Sequence, residues 1–298
     1  MRKLLETGAG VAVIDNLATG YERNLAEVRD QIEFHRLDIR DAAIEPVIRD
    51  ADTVYHLAAL ASVPRSIADP APSHDINING TFNVLRAAAD GKVRRLVYAA
   101  SSSAYGDTEV LPKTESMIPQ PKSPYAVQKL VGELYGSVFT SCFGLETVSL
   151  RFFNVYGPRQ DPGSQYSGVL SLFMKHVLTR TSPTIFGDGE QSRDFTYVDD
   201  VAGLCIKAAA APNAAGKMYN AGNGGRFTLN FLWRLLQEME GVEIPAIYGP
   251  LRTGDVRESM ADTAAAVAEL GHAPQFTIET GLKRTLEWYR AAQAMTAA

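Results

Sequence analysis

Short apolar segments that alternate with helical ones limit this chain to a small group of folds. The apolar segments lie at residues 11–15, 51–57, 93–100 and 147–153. Runs of this length and character are typical of strands buried on both faces of a sheet. Between them, residues 77–90 and 123–143 are predicted to be helical. Strands that alternate with helices form a parallel sheet covered by helices on both sides, so we predict an α/β protein with a doubly wound parallel sheet.

The character of the chain changes after about residue 157. Residues 158–168 are rich in Pro, Gly, Gln and Ser, which predicts a long irregular loop. Further helices are predicted at residues 169–180, 198–211, 229–240 and 278–291. We therefore predict two domains. Residues 1–165 carry the first sheet, and residues 166–298 form a smaller α/β domain that is interleaved with the first.

Composition and charge exclude several classes of partner. The chain has 298 residues, and its net charge of −5 argues against a nucleic-acid-binding surface. No apolar run reaches the ~18 residues needed to span a bilayer, and we expect no signal peptide. Two cysteines, Cys142 and Cys205, are too few for a disulfide framework, and we expect both to be buried, reduced thiols. No residues have metal-ligand spacing. We predict a cytoplasmic protein without metal, membrane or nucleic acid.

The residues that carry chemistry lie at the start of the helix predicted over 123–143. Tyr125 and Lys129 are four residues apart and so share one helix face. There the ammonium is expected to lower the pKa of the phenol from about 10, which makes Tyr125 a usable base near neutral pH. Ser101, just past a predicted strand, can share the proton. Such a trio can deprotonate an alcohol while hydride leaves the same carbon. The alternative is a surface pair on an ordinary helix.

Asp15 ends the first predicted strand, where an acid would bind the ribose of a dinucleotide. The glycine-rich phosphate-binding turn that should lie about 20 residues before this acid is not in the sequence. Gly8-Ala9-Gly10 is too close to Asp15 to be that turn, and residues 4–8 resemble a helix end capped by glycine. We therefore expect about 20 residues to be absent before Met1, comprising the first strand, the turn and the start of the helix.

Eight ordered stretches resemble a known family. They lie at residues 15–20, 56–59, 77–81, 101–106, 123–129, 151–157, 186–195 and 252–257. Together they resemble the extended short-chain dehydrogenase/reductases, specifically the NAD-dependent nucleotide-sugar 4-epimerases, over essentially the whole chain. The resemblance implies a Rossmann-like NAD-binding domain lacking its first strand, a smaller domain that binds a UDP-sugar, and a homodimer. The predicted helix over 123–143 has enough apolar residues for both a core face and a dimer contact.

The resemblance also implies roles for individual residues. Tyr125 would take the proton of the sugar 4-hydroxyl, Lys129 would lower its pKa and bind the nicotinamide ribose, and Ser101 would share the proton. The residues implied to bind NAD are Asp15, Asn16, Thr19, Asp38, Ile39, Leu57, Ala58, Ala59, Asn77, Tyr125, Lys129, Phe153 and Val155. The residues implied to bind the substrate are Ser102, Ser103, Asn154, Val169, Phe186, Arg193, Arg252, Asp255 and Ser259.

Alternatives remain open for several of these residues. A one-residue error within Ser101–Ser103 would make another serine the proton-sharing one. Arg193 with Asp194, and Arg252 with Asp255, could be structural ion pairs. His56 follows an apolar strand and is interpreted as a packed, hydrogen-bonded residue rather than a ligand.

The resemblance also limits the class of reaction that this chain is expected to catalyse. Dehydratases and decarboxylases of this fold carry an acid after the Ser/Thr, whereas this chain has no carboxylate between Ser101 and Tyr105. The resemblance also bears on the sugar. Family members that accept N-acetylated sugars carry a small residue at the position of Ser259, as this chain does. We predict interconversion of UDP-N-acetylglucosamine and UDP-N-acetylgalactosamine, with UDP-glucose and UDP-galactose as the second pair. The alternatives are a UDP-glucuronate decarboxylase, a dTDP-glucose 4,6-dehydratase-like enzyme, or a non-catalytic nucleotide-sugar binder.

Overall fold

The structure, a computed structural model, describes residues 1–163, 168–251 and 256–297, with side chains described as far as residue 292. The strands are β1 (Ala12–Ile14), β2 (Glu33–His35), β3 (Thr53–His56), β4 (Arg95–Ser101), β5 (Glu146–Phe152), β6 (Asn154–Tyr156), β7 (Thr184–Phe186), β8 (Ser192–Arg193), β9 (Phe195–Tyr197), β10 (Lys217–Ala221), β11 (Phe227–Thr228) and β12 (Ile247–Gly249). The α-helices are α1 (Arg2–Glu6), α2 (Ile44–Arg49), α3 (Val63–Ala68), α4 (Pro70–His74), α5 (Thr81–Asp90), α6 (Pro124–Phe143), α7 (Val169–Thr179), α8 (Val198–Ala210), α9 (Leu229–Glu240), α10 (Ala264–Leu270) and α11 (Ile278–Ala297).

The central sheet has four parallel strands in the order β10-β5-β4-β3. Strands β1 and β2 form a separate parallel pair, in which Ala12 is opposite Glu33. Every residue of β4 is buried, which explains why its sequence is a continuous apolar run rather than an alternating one. The predicted Rossmann-like parallel sheet is confirmed.

Helices cover both faces of this sheet. Leu96 of β4 belongs to the cluster that also contains Leu85 of α5, whereas the next residue, Val97, belongs to the cluster that contains Leu204 of α8. Successive strand side chains point to opposite faces, so one apolar run supplies both cores. The sheet is thereby fixed between α5 and α6 on one side and α8 on the other.

Helix α6 begins and ends where local sequence rules place it. The Ser123 side chain accepts a hydrogen bond from the Ala126 N–H, Pro124 opens the first turn, and Gly144 closes the helix in the left-handed conformation. Gly132 and Gly136 let the helix lie close to the sheet. A Cβ at Gly132 would lie 2.3 Å from the Tyr98 ring. This close approach matters because α6 carries Tyr125 and Lys129.

The second part of the chain contributes to two cores. One cluster joins α7, α9 and α11 through residues such as Phe173, Trp233 and Leu282. However, β10 pairs with β5 and α8 packs on the central sheet, so these later segments extend the first sheet. The division into residues 1–165 and 166–298 stays a prediction.

Three details differ from the sequence-based expectations. The helix expected over 77–90 begins as a π-helical turn, Asp75–Gly80, before α5. Strand β2 was not predicted. Cys205 is buried as expected, but Cys142 is exposed because it lies in the last turn of α6 on a face turned away from the sheet. Among the described residues, no helix is both long and apolar enough to cross a membrane.

Candidate active site

A cavity of about 240 Å³ lies where β4 and β5 end and α6 begins. The carboxyl ends of parallel strands are the usual location of a ligand site in this architecture. The predicted site residues that line it are Ser101, Ser102, Ser103, Tyr125, Phe153, Asn154, Arg193 and Ser259. The folded chain thus brings together residues from both predicted domains.

Ser101 is the serine that contacts Tyr125. Its hydroxyl forms a hydrogen bond with the Tyr125 side chain, and it also accepts from the Ser103 N–H at 3.2 Å. The Ser101 and Ser103 hydroxyl oxygens are 2.8 Å apart, which forms a short chain of hydroxyls along the cavity wall. The Tyr125 N–H donates to the Ser66 hydroxyl at 3.1 Å, which anchors the first turn of α6.

Burial controls the electrostatics of the Tyr125–Lys129 pair. Burial lowers the pKa of Lys129 to about 7, while the nearby Glu133 carboxylate acts in the opposite direction. Burial also raises the pKa of Tyr125, and the hydrogen bond with Ser101 opposes it. The expectation of a Tyr125 pKa below 10 is therefore wrong for the protein alone, because burial of the phenol disfavours the phenolate. Lys129 Nζ lies 4.6 Å from the centre of the Tyr98 ring, a cation–π contact.

Several residues implied to hold NAD meet at the ends of β1 and β2. Asn16 donates to the Asp38 carboxylate at 2.8 Å, and Arg40 holds the pKa of that carboxyl well below its usual range. Asp15 Oδ1 accepts from the Leu17 N–H at 2.7 Å, while Oδ2 faces Gly20, where a Cβ would be 3.9 Å away. Thr19 is exposed in the same loop. An exposed carboxylate beside a glycine loop fits the hydroxyls of a ribose.

The segment after β3 forms the next part of the implied NAD site. Leu57 is 55% exposed, and Ala58 is also exposed, whereas Ala59 is half-buried. The Asn77 amide fixes this segment, since its Oδ1 accepts from the Leu60 N–H at 2.8 Å and its Nδ2 donates to the Leu60 carbonyl at 3.2 Å. Asn77 thus holds the segment in place. Exposed apolar and small residues along a loop suit the length of a dinucleotide.

Ile39 packs closely against Gly80, such that a Cβ added at Gly80 would lie 2.6 Å from Cδ1 of Ile39. Phe153 is buried, with its ring centre 6.4 Å from that of Tyr105. Asn154 donates its N–H to the Asp194 carbonyl at 3.0 Å. Val155 instead packs into the core on the α8 side of the sheet. Phe153 and Asn154 border the cavity, whereas Val155 is not among the described residues that line it.

The remaining substrate residues divide into three groups. Arg193 donates to the carbonyls of Ser192 and Arg257 at 2.9 and 2.8 Å, and it lines the cavity. Val169 begins α7 and Phe186 ends β7, and neither is among the described residues that line the cavity. Arg252 and Asp255 lie outside the described residues.

Asp194 is held by backbone groups rather than by its neighbour Arg193. Its carboxylate accepts from the N–H groups of Asn223, Gly224 and Ala261 at 2.9, 2.9 and 3.1 Å. The interpretation of Arg193 and Asp194 as an ion pair is therefore wrong. His56 is buried and hydrogen-bonded to Thr81 at 2.9 Å, as predicted.

Ser259 is buried, and its hydroxyl has no hydrogen-bond partner among the described residues. Its N–H donates to the Ser192 carbonyl at 3.1 Å, which fixes the Ser259 backbone at the cavity wall. A buried hydroxyl without a partner is costly, so this group is suited to bond a ligand hydroxyl or amide.

Further residues that line the cavity were not among the predicted site residues, and they include Tyr105, Lys113 and Lys122. Tyr105 donates its hydroxyl to Asn220 Oδ1 at 2.6 Å. Lys113 is 1% exposed, its ammonium donates to the Thr108 carbonyl, and its backbone N–H donates to the Met260 carbonyl. Only the position of Lys122, three residues before Tyr125, could have been noticed in the sequence.

The chain belongs to the NAD dependent epimerase/dehydratase family, whose model matches residues 1–222. The family's fold and cofactor, NAD, were both predicted and are confirmed. The solved UDP-glucose 4-epimerase of Thermotoga maritima, with UDP-glucose, is 37% identical, with 98% of this chain and 94% of that chain covered and a TM-score of 0.92.

Other relatives differ in the sugar that their names give. The solved UDP-N-acetylglucosamine 4-epimerase of Methanobrevibacter ruminantium, in complex with UDP-N-acetylmuramic acid, is 36% identical, with a TM-score of 0.90 and 95% of this chain and 91% of that chain covered. The UDP-glucuronate 4-epimerase of Thermodesulfobacterium geofontis is 32% identical over 296 residues, 96% of this chain and 90% of its own length.

Proposed function

We propose that this chain is an NAD-dependent UDP-sugar 4-epimerase, with Ser101, Tyr125 and Lys129 as its catalytic residues. The observation that carries the proposal is the hydrogen-bonded Ser101–Tyr125 pair at the cavity wall, with a buried lysine one helical turn away. The reaction is an inversion at C4 of the hexose through a transient 4-keto sugar.

Each residue has a defined part in moving the proton. Tyr125 takes the proton of the sugar 4-hydroxyl, and the Ser101 hydroxyl shares it through their hydrogen bond. When bound, NAD would supply the hydride chemistry at C4. Because burial raises the pKa of Tyr125, the positive charge of Lys129 is needed to stabilise its phenolate. Asp15 and the segment 57–59 would hold the cofactor.

Elimination and decarboxylation are less well supported. Both need an additional acid or base close to the sugar, and residues 102–104 supply none. Tyr105 borders the cavity, but its hydroxyl is already donated to Asn220. Among the described residues, neither the segment 102–104 nor Tyr105 offers the additional group, which makes the decarboxylase and dehydratase alternatives weaker than the epimerase.

Tyr125→Phe tests the proposal against a non-catalytic binder. An epimerase should lose its turnover by at least about 100-fold, since general base catalysis contributes that much. Its affinity for UDP should stay unchanged, because the only group removed is the Tyr125 hydroxyl, which is proposed to act on the sugar. Tyr135→Phe, on the same helix but exposed, is the matched control and should keep full activity. Unchanged turnover of UDP-sugars by Tyr125→Phe would contradict the proposal.

For the sugar, we propose UDP-N-acetylglucosamine and UDP-N-acetylgalactosamine as the preferred pair. The small, buried Ser259 side chain at the cavity wall supports this choice, since it leaves room beside the sugar and its hydroxyl has no partner within the part of the chain that the structure describes. Ser259→Tyr should reduce turnover of the acetylated pair far more than that of UDP-glucose. An equal loss on both pairs would refute the role of Ser259. UDP-glucuronate should be assayed alongside them.

We also propose a homodimer. Helix α6 and its neighbour α5 expose apolar side chains on one surface, notably Phe82, Leu134, Tyr135 and Val138. Exposed apolar groups on adjoining helices are typical of a protein interface. Light scattering of the purified protein should give twice the mass of the chain, and Leu134→Glu should shift it toward the monomer.

A further inference from the structure

A buried ion pair with no role in the proposed chemistry lies beneath the catalytic residues. Arg151 donates Nε to Glu133 Oε1 at 2.9 Å and Nη2 to Oε2 at 2.8 Å. The side chains are 3% and 7% exposed, so the pair is almost completely removed from water. A two-point contact of this kind fixes the direction of both groups.

The position of Glu133 relates it to the active site. Tyr125, Lys129 and Glu133 follow one another at intervals of four residues and share one face of α6. Arg151 lies on β5, and its guanidinium lies 4.5 Å from the centre of the Tyr105 ring, which borders the cavity. The pair therefore links α6 to the wall of the cavity directly behind Lys129.

Stability alone is a weak explanation for this pair. Burying two charges costs desolvation energy that their attraction often does not recover, and apolar replacements of similar shape can be neutral or stabilising. Elsewhere in the sheet, Arg95 pairs with Glu146, but Glu146 is 41% exposed and lies at the opposite end of β5. The fully buried pair is the one next to Lys129.

Groups from several elements face Lys129. They are Tyr125 and Glu133 on α6, the Tyr98 ring on β4, and the imidazole of His56 on β3. Arg151 on β5 reaches the same region through Glu133. Burial lowers the pKa of His56 to about 3, so this group is neutral near pH 7. Glu133 is the carboxylate that acts on Lys129 among the described residues.

We infer that Glu133, oriented by Arg151, is a positioning residue that keeps the buried Lys129 protonated and thereby sets the upper pH limit of catalysis. This inference rests on the proposed roles of Tyr125 and Lys129. Glu133 touches neither substrate nor cofactor in this account, and it acts only through the lysine. Arg151 prevents the carboxylate from turning away, because it holds both carboxylate oxygens.

The expected effect can be worked out from the spacing. Residues four apart on a helix are about 6 Å apart, and at an effective dielectric constant of about 20 two unit charges at that distance interact by about two pH units. The opposite charge of Arg151 offsets roughly half of this, so neutralising Glu133 should lower the pKa of Lys129 by about one unit.

The test is the pH profile of Glu133→Gln, which keeps the side-chain shape and can still accept from Arg151. At saturating UDP-sugar, the alkaline fall in turnover should occur about one pH unit lower in Glu133→Gln than in the wild type. Above that pH, turnover should be about tenfold lower than in the wild type. Glu146→Gln is the matched control, since it neutralises the partner of another buried arginine far from Lys129, and its limb should not move. A folded, NAD-loaded Glu133→Gln with an unmoved limb overturns the inference.

A second measurement reads the lysine directly. The Lys129 side-chain resonance, identified by its loss in Lys129→Met, should titrate about one unit lower in Glu133→Gln than in the wild type, by the same Coulomb argument. If Glu133→Gln does not fold, Glu133→Asp replaces it and should shift the limb in the same direction by less. Retained turnover in Tyr125→Phe would refute the proposed function itself. Lost turnover there, together with an unmoved Glu133→Gln limb, would refute only the role of Glu133.

Discussion

Replacing Gly132 by alanine should loosen the contact between α6 and β4 on which the active site depends. The new Cβ would lie 2.3 Å from both Cζ and Oη of Tyr98, and 2.7 Å from its Cε1. Tyr98 cannot simply turn aside. It is 2% exposed, the His56 ring centre is 5.6 Å from its own, and its hydroxyl donates to the Lys129 carbonyl at 3.4 Å.

The magnitude follows from the size of the clash. Optimal contacts between non-bonded carbon atoms are ~3.5–4.0 Å, so the helix or the ring must move by more than about 1 Å. Overpacking of a filled core costs about 2–3 kcal/mol at this severity, and the better helix propensity of alanine returns about 1 kcal/mol. We expect a net loss of about 1–2 kcal/mol of unfolding free energy. Because Lys129 rests on the Tyr98 ring, turnover should fall by about tenfold or more.

The assay is urea unfolding, together with turnover of the native protein. Gly203→Ala is the matched control, because Gly203 lies within α8 and a Cβ there meets nothing within 4 Å. That variant should be unchanged or up to about 1 kcal/mol more stable, with normal activity. If Gly132→Ala behaves like Gly203→Ala in both measurements, the close approach of α6 to Tyr98 is not what positions the lysine, and the argument fails.

Two further predictions concern stability. The folded pKa of His56, about 3, is lower than its unfolded value of ~6.5, so between these values the unfolded chain binds a proton that the folded chain does not. His56 should therefore cost stability progressively as the pH falls through this window, by up to about 4–5 kcal/mol. Urea unfolding measured from pH 7 to 4 should show a smaller dependence of the unfolding free energy on pH in His56→Gln than in the wild type, and an equal dependence would contradict the argument. Asp194→Ala should reduce the unfolding free energy by about 3 kcal/mol or more, because three N–H groups around the buried carboxylate lose their acceptor. A loss below about 1 kcal/mol would contradict this.

Local sequence rules were sufficient for the helix that carries the catalytic pair. A serine cap, a proline in the first turn and a closing glycine define α6 within its own residues, and the spacing of Tyr125 and Lys129 then places them on one face. The buried strands β3, β4 and β5 were also predictable, because strands covered on both faces need unbroken apolar runs. Strand β2 was not, since Glu33–His35 has no such run and becomes a strand only by pairing with β1.

The active site required more than the sequence. Ser101 was the predicted proton-sharing serine, but a one-residue error within Ser101–Ser103 was open, and it is the packing of the end of β4 against α6 that brings Ser101 to Tyr125. Lys113 donates its backbone N–H to the carbonyl of Met260, and almost half of the chain lies between these two residues.

The sequence by itself determined the parallel α/β sheet, the helix of the catalytic pair and the family resemblance. These features depend on the pattern of apolar residues, on the residues that cap the helix and on the spacing of motifs along the chain. The tertiary structure decided the sign of the Tyr125 pKa shift, the identity of the serine and the burial of Glu133 with Arg151. The physical reason is that desolvation and hydrogen bonding between distant segments depend on which surfaces are removed from water, and packing alone sets that.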